Sequence, residues 1–185
     1  MKTDLSKYNN KWYKNEIGAS RLMQIVWYLI NSIFFSSRMF PVSRLKVKVL
    51  KIFGATIGTS VIIKPDVNIK YPWKLKIGSN CWIGERVWID NLAPVIIGDN
   101  VCLSQGAFLL TGNHDYSKTT FDLIVKPIHI EDGVWIGAKA IVCPGVTCKT
   151  HSVLTANSVA VNDLLQFKIY QGNPATEKKE RVILE

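Results

Sequence analysis

Apolar residues recur at every sixth position of the chain from residue 57 onward. Twelve of the thirteen aligned positions hold Ile, Leu or Val, and the other holds Cys. They are Ile57, Ile63, Ile69, Ile77, Ile83, Ile89, Ile97, Leu103, Ile130, Ile136, Val142, Cys148 and Leu154. Four residues after each of them stands Val, Cys or a small residue, except at Trp73. This period fits neither a helix nor a long alternating strand. It predicts short strands joined by tight corners and stacked into a prism, with each face contributing one aliphatic residue per coil to a central core.

The repeat changes phase twice and is interrupted once. Two-residue slips follow Ile69 and Ile89, and we predict a bulged corner at each, over residues 71–73 and 92–94. The hexads then stop over residues 111–127, a stretch that is rich in polar groups and too long for a corner. Long polar insertions on a rigid scaffold are typical of functional loops. We predict that this loop carries the chemistry.

Two helices are predicted upstream of the repeat. Residues 21–35 are apolar on most sides at helical spacing, so at least one side needs to be covered. Residues 43–53 form a basic amphipathic helix, for which Ser43 is the expected N-cap and Gly54 the stop. The apolar side of this helix holds Leu45, Val49, Ile52 and Phe53, and the basic side holds Arg44, Lys48 and Lys51.

Positive charge is concentrated in the same part of the chain. The net charge is +9; residues 1–53 hold ten Lys/Arg and two Asp/Glu, which gives +8, and the remainder gives +1. A nucleic-acid module normally places its basic residues on a folded recognition surface with interleaved aromatics, so no nucleic-acid partner is expected. The helix over 43–53 is interpreted as a cap on the first coil or as a contact with an anionic membrane surface, and both can hold together.

Length and composition favour one cytoplasmic domain. The chain has 185 residues, 48% of them hydrophobic, which is enough for one sizeable core. Its longest nearly uncharged apolar stretch, residues 22–35, is shorter than the roughly 20 residues of a membrane span. The polar N-terminus does not resemble a signal peptide. We expect a cytoplasmic protein with no transmembrane helix.

The spacing of cysteine and histidine indicates no metal site. Cys81, Cys102, Cys143 and Cys148 form no CxxC pair, and three of the four are assigned to core positions. The three histidines are 15 and 22 residues apart, which lacks the close pairing of metal ligands. We expect reduced thiols and no zinc.

Beyond the hexads, five short motifs carry a closer family resemblance. They are Lys70-Tyr-Pro-Trp-Lys-Leu75, Val87-Trp-Ile-Asp-Asn-Leu-Ala-Pro94, Gly112-Asn-His-Asp-Tyr116, Phe121-Asp-Leu-Ile124 with Lys126-Pro127, and the hexads from Val134 to Val146. On these residues the chain resembles the hexapeptide-repeat acyltransferases, and most closely the colanic-acid-type exopolysaccharide O-acetyltransferases. The resemblance implies an all-β fold, a left-handed parallel β-helix of hexapeptide repeats with an N-terminal helical segment. The expected parts are a basic helical cap (1–53), a β-helix with the inserted loop (54–166) and a C-terminal tail (167–185).

The resemblance also implies an activity. The family transfers an acetyl group from acetyl-CoA directly to a sugar hydroxyl, in homotrimers with a site at each subunit interface. His114 matches the position of the catalytic base, and histidine titrates near neutral pH as that role requires. The expected acceptor is a saccharide, free or lipid-linked, of bacterial surface polysaccharide synthesis.

Further site residues are carried over from the same motifs. Asp90 and Asn91 are expected to face the acceptor or, alternatively, to form an Asx corner. Asn113 and Asp115 flank His114, and Trp135 matches a tryptophan beside the catalytic site, with a core or subunit-contact role as the alternative. For coenzyme A, the resemblance points to Ala138, Ala156, Lys178, Lys179 and Arg181. The chain has Asn162 where the family commonly has lysine, which puts that charged contact in doubt.

Two other functions remain open at this point. One is transfer to nitrogen on the same fold, onto an amino sugar or an antibiotic. The other is a non-catalytic β-helix that acts as a scaffold at the membrane. The interruption of the repeat around His114 favours an enzyme, because a purely structural coil has no need of it.

Overall fold

Three parallel sheets form the faces of a prism in the computed structural model, which describes residues 2–184. Face A consists of β1 (Thr56–Ile57), β4 (Leu75–Ile77), β7 (Val95–Ile97), β12 (Ile128–Ile130) and β15 (Thr147–Cys148). Face B consists of β2 (Ile62–Ile63), β5 (Trp82–Ile83), β8 (Cys102–Leu103), β13 (Trp135–Ile136), β16 (Val153–Leu154) and β18 (Lys168–Gly172), with β19 (Ala175–Glu180) at its edge. Face C consists of β3 (Asn68–Ile69), β6 (Trp88–Asp90), β9 (Phe108–Leu110), β14 (Ile141–Val142) and β17 (Val159–Ala160). The hairpin of β10 (Gly112–His114) and β11 (Leu123–Val125) interrupts the coil after β9.

The chain visits faces A, B and C in turn, so each coil lies directly on the one before it. Ile57 pairs with Ile77, Ile63 with Ile83 and Ile69 with Ile89, all in parallel register. All thirteen positions of the six-residue repeat are buried. The predicted all-β parallel β-helix is confirmed, and it has about six turns.

The cysteines depart in part from the sequence-based assignment. Cys81 and Cys148 are buried in the core, whereas Cys102 and Cys143 are partly exposed. Two cysteines, and not three, therefore occupy core positions. All four are free thiols, and burial raises the pKa of each one.

Three α-helices precede the coil: α1 (Lys11–Glu16), α2 (Arg21–Ile30) and α3 (Ser43–Ile52). A π-helical turn (Asn31–Phe35) continues α2, and 3-10 turns lie at Leu5–Lys7 and Pro72–Lys74. Within residues 2–184, no helix combines the length and apolar character needed to cross a membrane.

The helices close the open end of the first coil through hydrogen bonds as well as apolar packing. Backbone groups at the edge of a sheet need partners when they are buried. Trp27 Nε1 donates to the carbonyl of Ile69 at 2.9 Å, and Asn31 Oδ1 accepts from the N–H of the same residue at 3.2 Å. Lys46 Nζ donates to the carbonyl of Lys64 at 2.8 Å. The segment therefore replaces the coil that is missing below β1–β3.

This capping role changes the interpretation of α3 in two respects. Ser43 is not an N-cap: its hydroxyl donates to the Val61 carbonyl and accepts from the Ile63 N–H. The buried residues of α3 are Lys46 and Leu50. On the predicted apolar side, Val49 and Phe53 are partly buried against the core, whereas Leu45 and Ile52 are exposed. Burial lowers the pKa of Lys46, whose ammonium supplies the donor that the coil edge needs.

Residues 167–185, expected to be a tail, extend the sheet in their described part. β18 pairs in parallel with β16, and β19 folds back on β18 as an antiparallel strand. The sheet therefore continues past residue 166 on face B.

Candidate active site

The inserted loop leaves the prism at the corner between faces C and A, after the third coil. Thr111 anchors it there. Its buried hydroxyl donates to the Asp90 carbonyl at 2.7 Å and accepts from the Ala93 N–H at 3.1 Å. The carbonyl of Thr111 accepts from the Lys126 N–H at 3.0 Å, which ties the two ends of the loop together. The hairpin therefore projects from a fixed base.

His114 ends the first strand of this hairpin and is half-buried. Its Nδ1 lies 2.9 Å from the carbonyl oxygen of Phe121, and its ring stacks on the Phe121 ring at 4.3 Å with a 7° interplanar angle. A carbonyl oxygen only accepts, so this contact requires the proton to be on Nδ1. The tautomer that fits leaves the Nε2 lone pair available to take a proton.

The backbone at Phe121 supports this arrangement. Its φ of 50° lies in the left-handed region, which is costly for a bulky residue. The conformation brings both the ring and the carbonyl of Phe121 onto His114. Strain of this kind persists where the surroundings enforce it, as is common at functional sites.

The predicted neighbours of His114 hold the loop in shape. Asn113 Oδ1 accepts from the His114 N–H at 2.8 Å. Asp115 accepts from the N–H and hydroxyl of Ser117, and these bonds lower the pKa of its carboxyl. Both side chains therefore accept hydrogen bonds from the backbone of the loop on either side of His114.

An N-terminal strap, residues 4–13, covers the loop, a feature that the sequence analysis missed. The Tyr8 ring lies 5.6 Å from the His114 ring. The N–H of Asp4 donates to the Thr119 carbonyl at 2.8 Å, and the Tyr13 hydroxyl donates to the Leu92 carbonyl at 2.7 Å. These contacts join residues far apart in the chain, so no local pattern in the sequence marks them. The Tyr8 ring therefore packs beside the His114 ring.

Replacing Tyr8 with alanine is expected to lower kcat about 2- to 10-fold, since an aromatic pair contributes roughly 0.5–1.5 kcal/mol to fixing a ring. Tyr8→Phe keeps the ring and is expected to retain nearly full activity. Steady-state kinetics of both variants test the role. Unchanged kcat in Tyr8→Ala, or an equal loss in Tyr8→Phe, would contradict ring packing as the cause.

Asp90 and Asn91 have different roles. Asn91 is buried, and its amide bridges the backbone of Tyr71, donating to the carbonyl at 2.6 Å and accepting from the N–H at 2.9 Å. Both polar atoms of the Asn91 side chain are therefore used by the backbone of the corner at Tyr71. Asp90 pairs with Lys70 at 2.9 Å and lines a cavity of about 500 Å³, together with Trp88 and residues of α2.

Trp135 lies on the outer side of face B and is 46% exposed. Its Nε1 donates to the Ser104 hydroxyl at 2.9 Å. In a three-sided prism, face B is opposite the corner between faces C and A, from which the His114 loop projects. The structure therefore does not bring Trp135 and His114 together within one chain.

Ala138 and Ala156 share the corner between faces B and C on successive coils. The Asn157 N–H donates to the Ala138 carbonyl at 2.8 Å, so the two turns are stacked. Within residues 2–184, the N–H groups of Ala138 and Ala156 donate to no protein acceptor. Both side chains are small, and that of Ala156 is exposed on this corner.

The basic residues of the C-terminal segment lie elsewhere. Lys179 pairs with Ile169 near the corner between faces A and B, and Lys178 adjoins it. Arg181 donates to the carbonyls of Gly133 and His151, at 2.8 and 3.2 Å, on that same corner. Its guanidinium thus joins two successive coils. Within one chain, none of the three lies on the alanine corner.

Known proteins are similar to this chain in sequence and architecture. A family profile described as the hexapeptide repeat of succinyl-transferase matches residues 74–110 and 127–159. The putative colanic acid biosynthesis acetyltransferase WcaF of Escherichia coli is 33% identical over 168 residues, covering 91% of this chain and 92% of the relative. The chain belongs to the hexapeptide-repeat acetyltransferases. The galactoside O-acetyltransferase of Escherichia coli is 30% identical to this acetyltransferase, over 71% of this chain and 66% of the relative.

Solved structures agree with the fold of this acetyltransferase. A hexapeptide-repeat acetyltransferase from Vibrio cholerae superposes with a TM-score of 0.78 at 25% identity, covering 89% of this chain and 92% of that one. A second structure of that protein, complexed with acetyl coenzyme A, superposes with a TM-score of 0.79 at 24% identity, covering 97% of this chain and 96% of that one. The left-handed β-helix expected from the resemblance is the family fold.

The other histidines of this acetyltransferase have different surroundings. His129 is exposed on the outer side of face A. His151 is partly buried and stacks on Phe167 at 4.8 Å. In the part of the chain that the structure describes, no group of three or more His, Cys, Asp and Glu residues is placed to hold a metal ion.

Proposed function

We propose that this acetyltransferase moves an acetyl group from acetyl-CoA to a hydroxyl of a saccharide, with His114 as the general base. The observation that carries the proposal is the contact of His114 Nδ1 with the Phe121 carbonyl at 2.9 Å. It favours the tautomer in which Nε2 accepts a proton. The position of His114, on a braced loop beside a three-sided coil, supports the same role.

Transfer is proposed to occur directly in a ternary complex. Nε2 of His114 takes the proton of the acceptor hydroxyl while the hydroxyl oxygen forms a bond to the acetyl carbonyl carbon. The carbon–sulfur bond of the thioester breaks, and the proton passes from Nε2 to the coenzyme A thiolate. Backbone N–H groups stabilise the oxyanion that forms between these steps. No covalent intermediate on the enzyme is needed.

The corner between faces B and C is the proposed acetyl-CoA slot. Ala156 is exposed and Ala138 half-exposed there, and their N–H groups are unpartnered within residues 2–184. Amide groups of this kind suit the carbonyl oxygens of a pantetheine arm. The bound coenzyme in the structure from Vibrio cholerae supports acetyl-CoA as the donor.

A saccharide acceptor is supported by the Asp90 cavity and by the relatives. Trp88 is 43% exposed and offers an aromatic face, while Asp90 offers a carboxylate for hydroxyl groups. Sugars are bound by such combinations of apolar ring faces and polar groups. The name of the galactoside O-acetyltransferase supports a sugar acceptor. That of the colanic acid biosynthesis relative supports a saccharide of bacterial surface polysaccharide, free or lipid-linked. We place the activity in the cytoplasm, in accord with four free thiols.

Transfer to oxygen rather than nitrogen is a separate part of the proposal. The product made from acetyl-CoA and a saccharide without amino groups is expected to be an ester. Mild alkali removes an ester-linked acetyl group and leaves an amide, so mass spectrometry before and after alkali distinguishes the two. An alkali-stable product, formed only with amino sugars, would favour the N-acetyltransferase alternative.

A homotrimer is proposed because one chain holds the two halves of the site apart. The His114 loop projects from the C–A corner and the alanine slot lies on the B–C corner, at opposite edges of face C. A face about five residues wide separates them by roughly 15 Å. A neighbouring copy can bring its slot to this loop, and closed rings of identical subunits form such interfaces.

Mixing two inactive variants tests the shared site. Trimers assembled from equal amounts of His114→Ala and Ala156→Trp subunits are expected to recover about a quarter of wild-type activity, since that share of interfaces pairs two intact halves. Light scattering of the wild-type protein is expected to give the mass of a trimer. A monomer, or no recovery in mixed trimers, would contradict the interface site.

A further inference from the structure

The outer side of the N-terminal cap carries an apolar groove between α2 and α3. It is lined by apolar residues only and has a volume of about 500 Å³. The residues that form its two walls are Leu29, Ile30, Ile33, Leu45, Val49 and Ile52. Ile52 is 77% exposed and Ile33 is 65% exposed. A soluble surface rarely exposes so much contiguous apolar area without a partner.

At the floor of the groove, Ile30 and Val49 are partly buried and pack against the core, whereas Leu29, Ile33, Leu45 and Ile52 are exposed. Trp27, Lys46 and Leu50 make the buried contacts of the cap with the first coil. The exposed residues of the groove therefore lie on the outer side of the same helices. Exposed apolar side chains continue along the segment beyond the groove, at Leu22, Ile25, Met39 and Val42.

The charged residues of the segment that forms the groove have one sign. Residues 17–53 contain six Lys/Arg and no Asp or Glu. Of these, Arg44, Lys48 and Lys51 are exposed on α3, and Arg21 is exposed at the start of α2. Two copies of the chain facing each other here would place like charges together, which opposes association. An anionic surface would instead be attracted by every one of these residues.

We propose that this groove is a docking surface for an anionic lipid bilayer. The apolar walls enter the boundary between headgroups and acyl chains, and the flanking basic residues contact lipid phosphates. The cap is one helix thick and the loop leaves the third coil, so the site of His114 lies roughly 20 Å above the docked surface. Docking would hold the active site near the headgroups, where the saccharide of a lipid-linked acceptor is found.

Cosedimentation with vesicles tests the proposal on the full-length protein. Vesicles of phosphatidylglycerol and phosphatidylcholine are expected to pellet the protein, and vesicles of phosphatidylcholine alone to pellet far less of it. The double variant Ile33→Asp/Ile52→Asp is expected to weaken binding to anionic vesicles at least about 10-fold, because two apolar side chains no longer insert. Val182→Asp is the matched control, because Val182 is also 76% exposed but lies outside the cap.

The charges are tested separately from the groove. Lys48→Gln/Lys51→Gln is expected to weaken binding to anionic vesicles by about 25-fold, or about five-fold per charge removed. The matched pair Lys76→Gln/Lys149→Gln removes two exposed lysines from the coil and is expected to bind like wild type. Raising the salt concentration is expected to weaken wild-type binding, because it screens these contacts.

Transfer to a soluble acceptor separates this proposal from the proposed enzyme function. The groove variants are expected to keep wild-type thiol release from acetyl-CoA with a soluble sugar, because none of these residues belongs to the proposed site. Absence of wild-type binding to anionic vesicles, equal binding to neutral ones, or unchanged binding of Ile33→Asp/Ile52→Asp would overturn the docking surface. Groove-dependent self-association of the protein without lipid would also overturn it, in favour of a second copy as occupant.

Discussion

Replacing His114 with alanine is expected to lower the rate of acetyl transfer by about 10² to 10⁴, the usual contribution of a positioned general base. The loss should fall on kcat, because the proposed role of the imidazole is to take a proton in the transition state. The fold is expected to persist, since His114 is half-buried on a projecting hairpin and lies outside the core. Thiol release from acetyl-CoA measures the rate, and thermal unfolding measures the stability.

His129→Ala is the matched control for this loss. His129 is exposed on face A and lies outside the proposed site, so its removal is expected to leave kcat near the wild-type value. His114→Gln keeps a polar side chain of similar size without a titrating nitrogen and is expected to be as inactive as His114→Ala. A folded His114→Ala protein with thiol release close to wild type would refute the proposed base.

Placing tryptophan at Ala156 is expected to block the acetyl-CoA slot. The exposed alanine lies on the B–C corner beside Ala138, and a bulky ring there would occupy the proposed path of the pantetheine arm. We expect coenzyme A binding, measured by calorimetry, to weaken at least about 100-fold. To bind, coenzyme A would have to displace the large tryptophan side chain, and it would also lose its contacts with the corner. The core beneath it is unchanged, so unfolding should stay near the wild-type temperature.

Glu85→Trp is the matched control for the slot. Glu85 has the same corner position three coils below Ala156 and is also exposed, at a distance of roughly 14 Å along the prism. It is expected to bind coenzyme A with nearly wild-type affinity. If Ala156→Trp also retained wild-type affinity, the placement of the slot on this corner would be wrong.

The coil could be predicted from the sequence because each hexad meets the same environment. Every coil adds the same three strands on the same three faces, so Ile63 and Ile83 have equivalent surroundings and the pattern repeats. The His114 loop could be predicted because the six-residue repeat of apolar residues is interrupted there.

The N-terminal cap shows where the pattern fails. The apolar side predicted for α3 holds Leu45, Val49 and Ile52, yet the fully buried residues of this helix are Lys46 and Leu50. The open edge of the first coil presents backbone carbonyls, and a lysine that donates to one of them satisfies a need that an apolar side chain leaves unmet. A pattern of hydrophobic residues does not show that these carbonyls require a hydrogen-bond donor.

Parts of the site were also beyond the reach of local patterns. The contact of Tyr8 with His114 joins positions more than a hundred residues apart and has no periodic signal. Asp90 and Asn91 are neighbours in the sequence, but the amide of Asn91 is used by the Tyr71 corner while Asp90 lines a cavity. The different directions of these two side chains depend on how the coils stack, which the local sequence does not show.

Thiol release from acetyl-CoA in the presence of a panel of free and lipid-linked saccharides tests the central claim most directly. We predict that at least one saccharide raises the release above the rate without acceptor, with an equal amount of acetylated saccharide formed. His114→Ala is expected to lower the rates of both by about 10² to 10⁴. Release of thiol without acetylated product, or acetylation close to the wild-type rate in folded His114→Ala protein, would contradict the account.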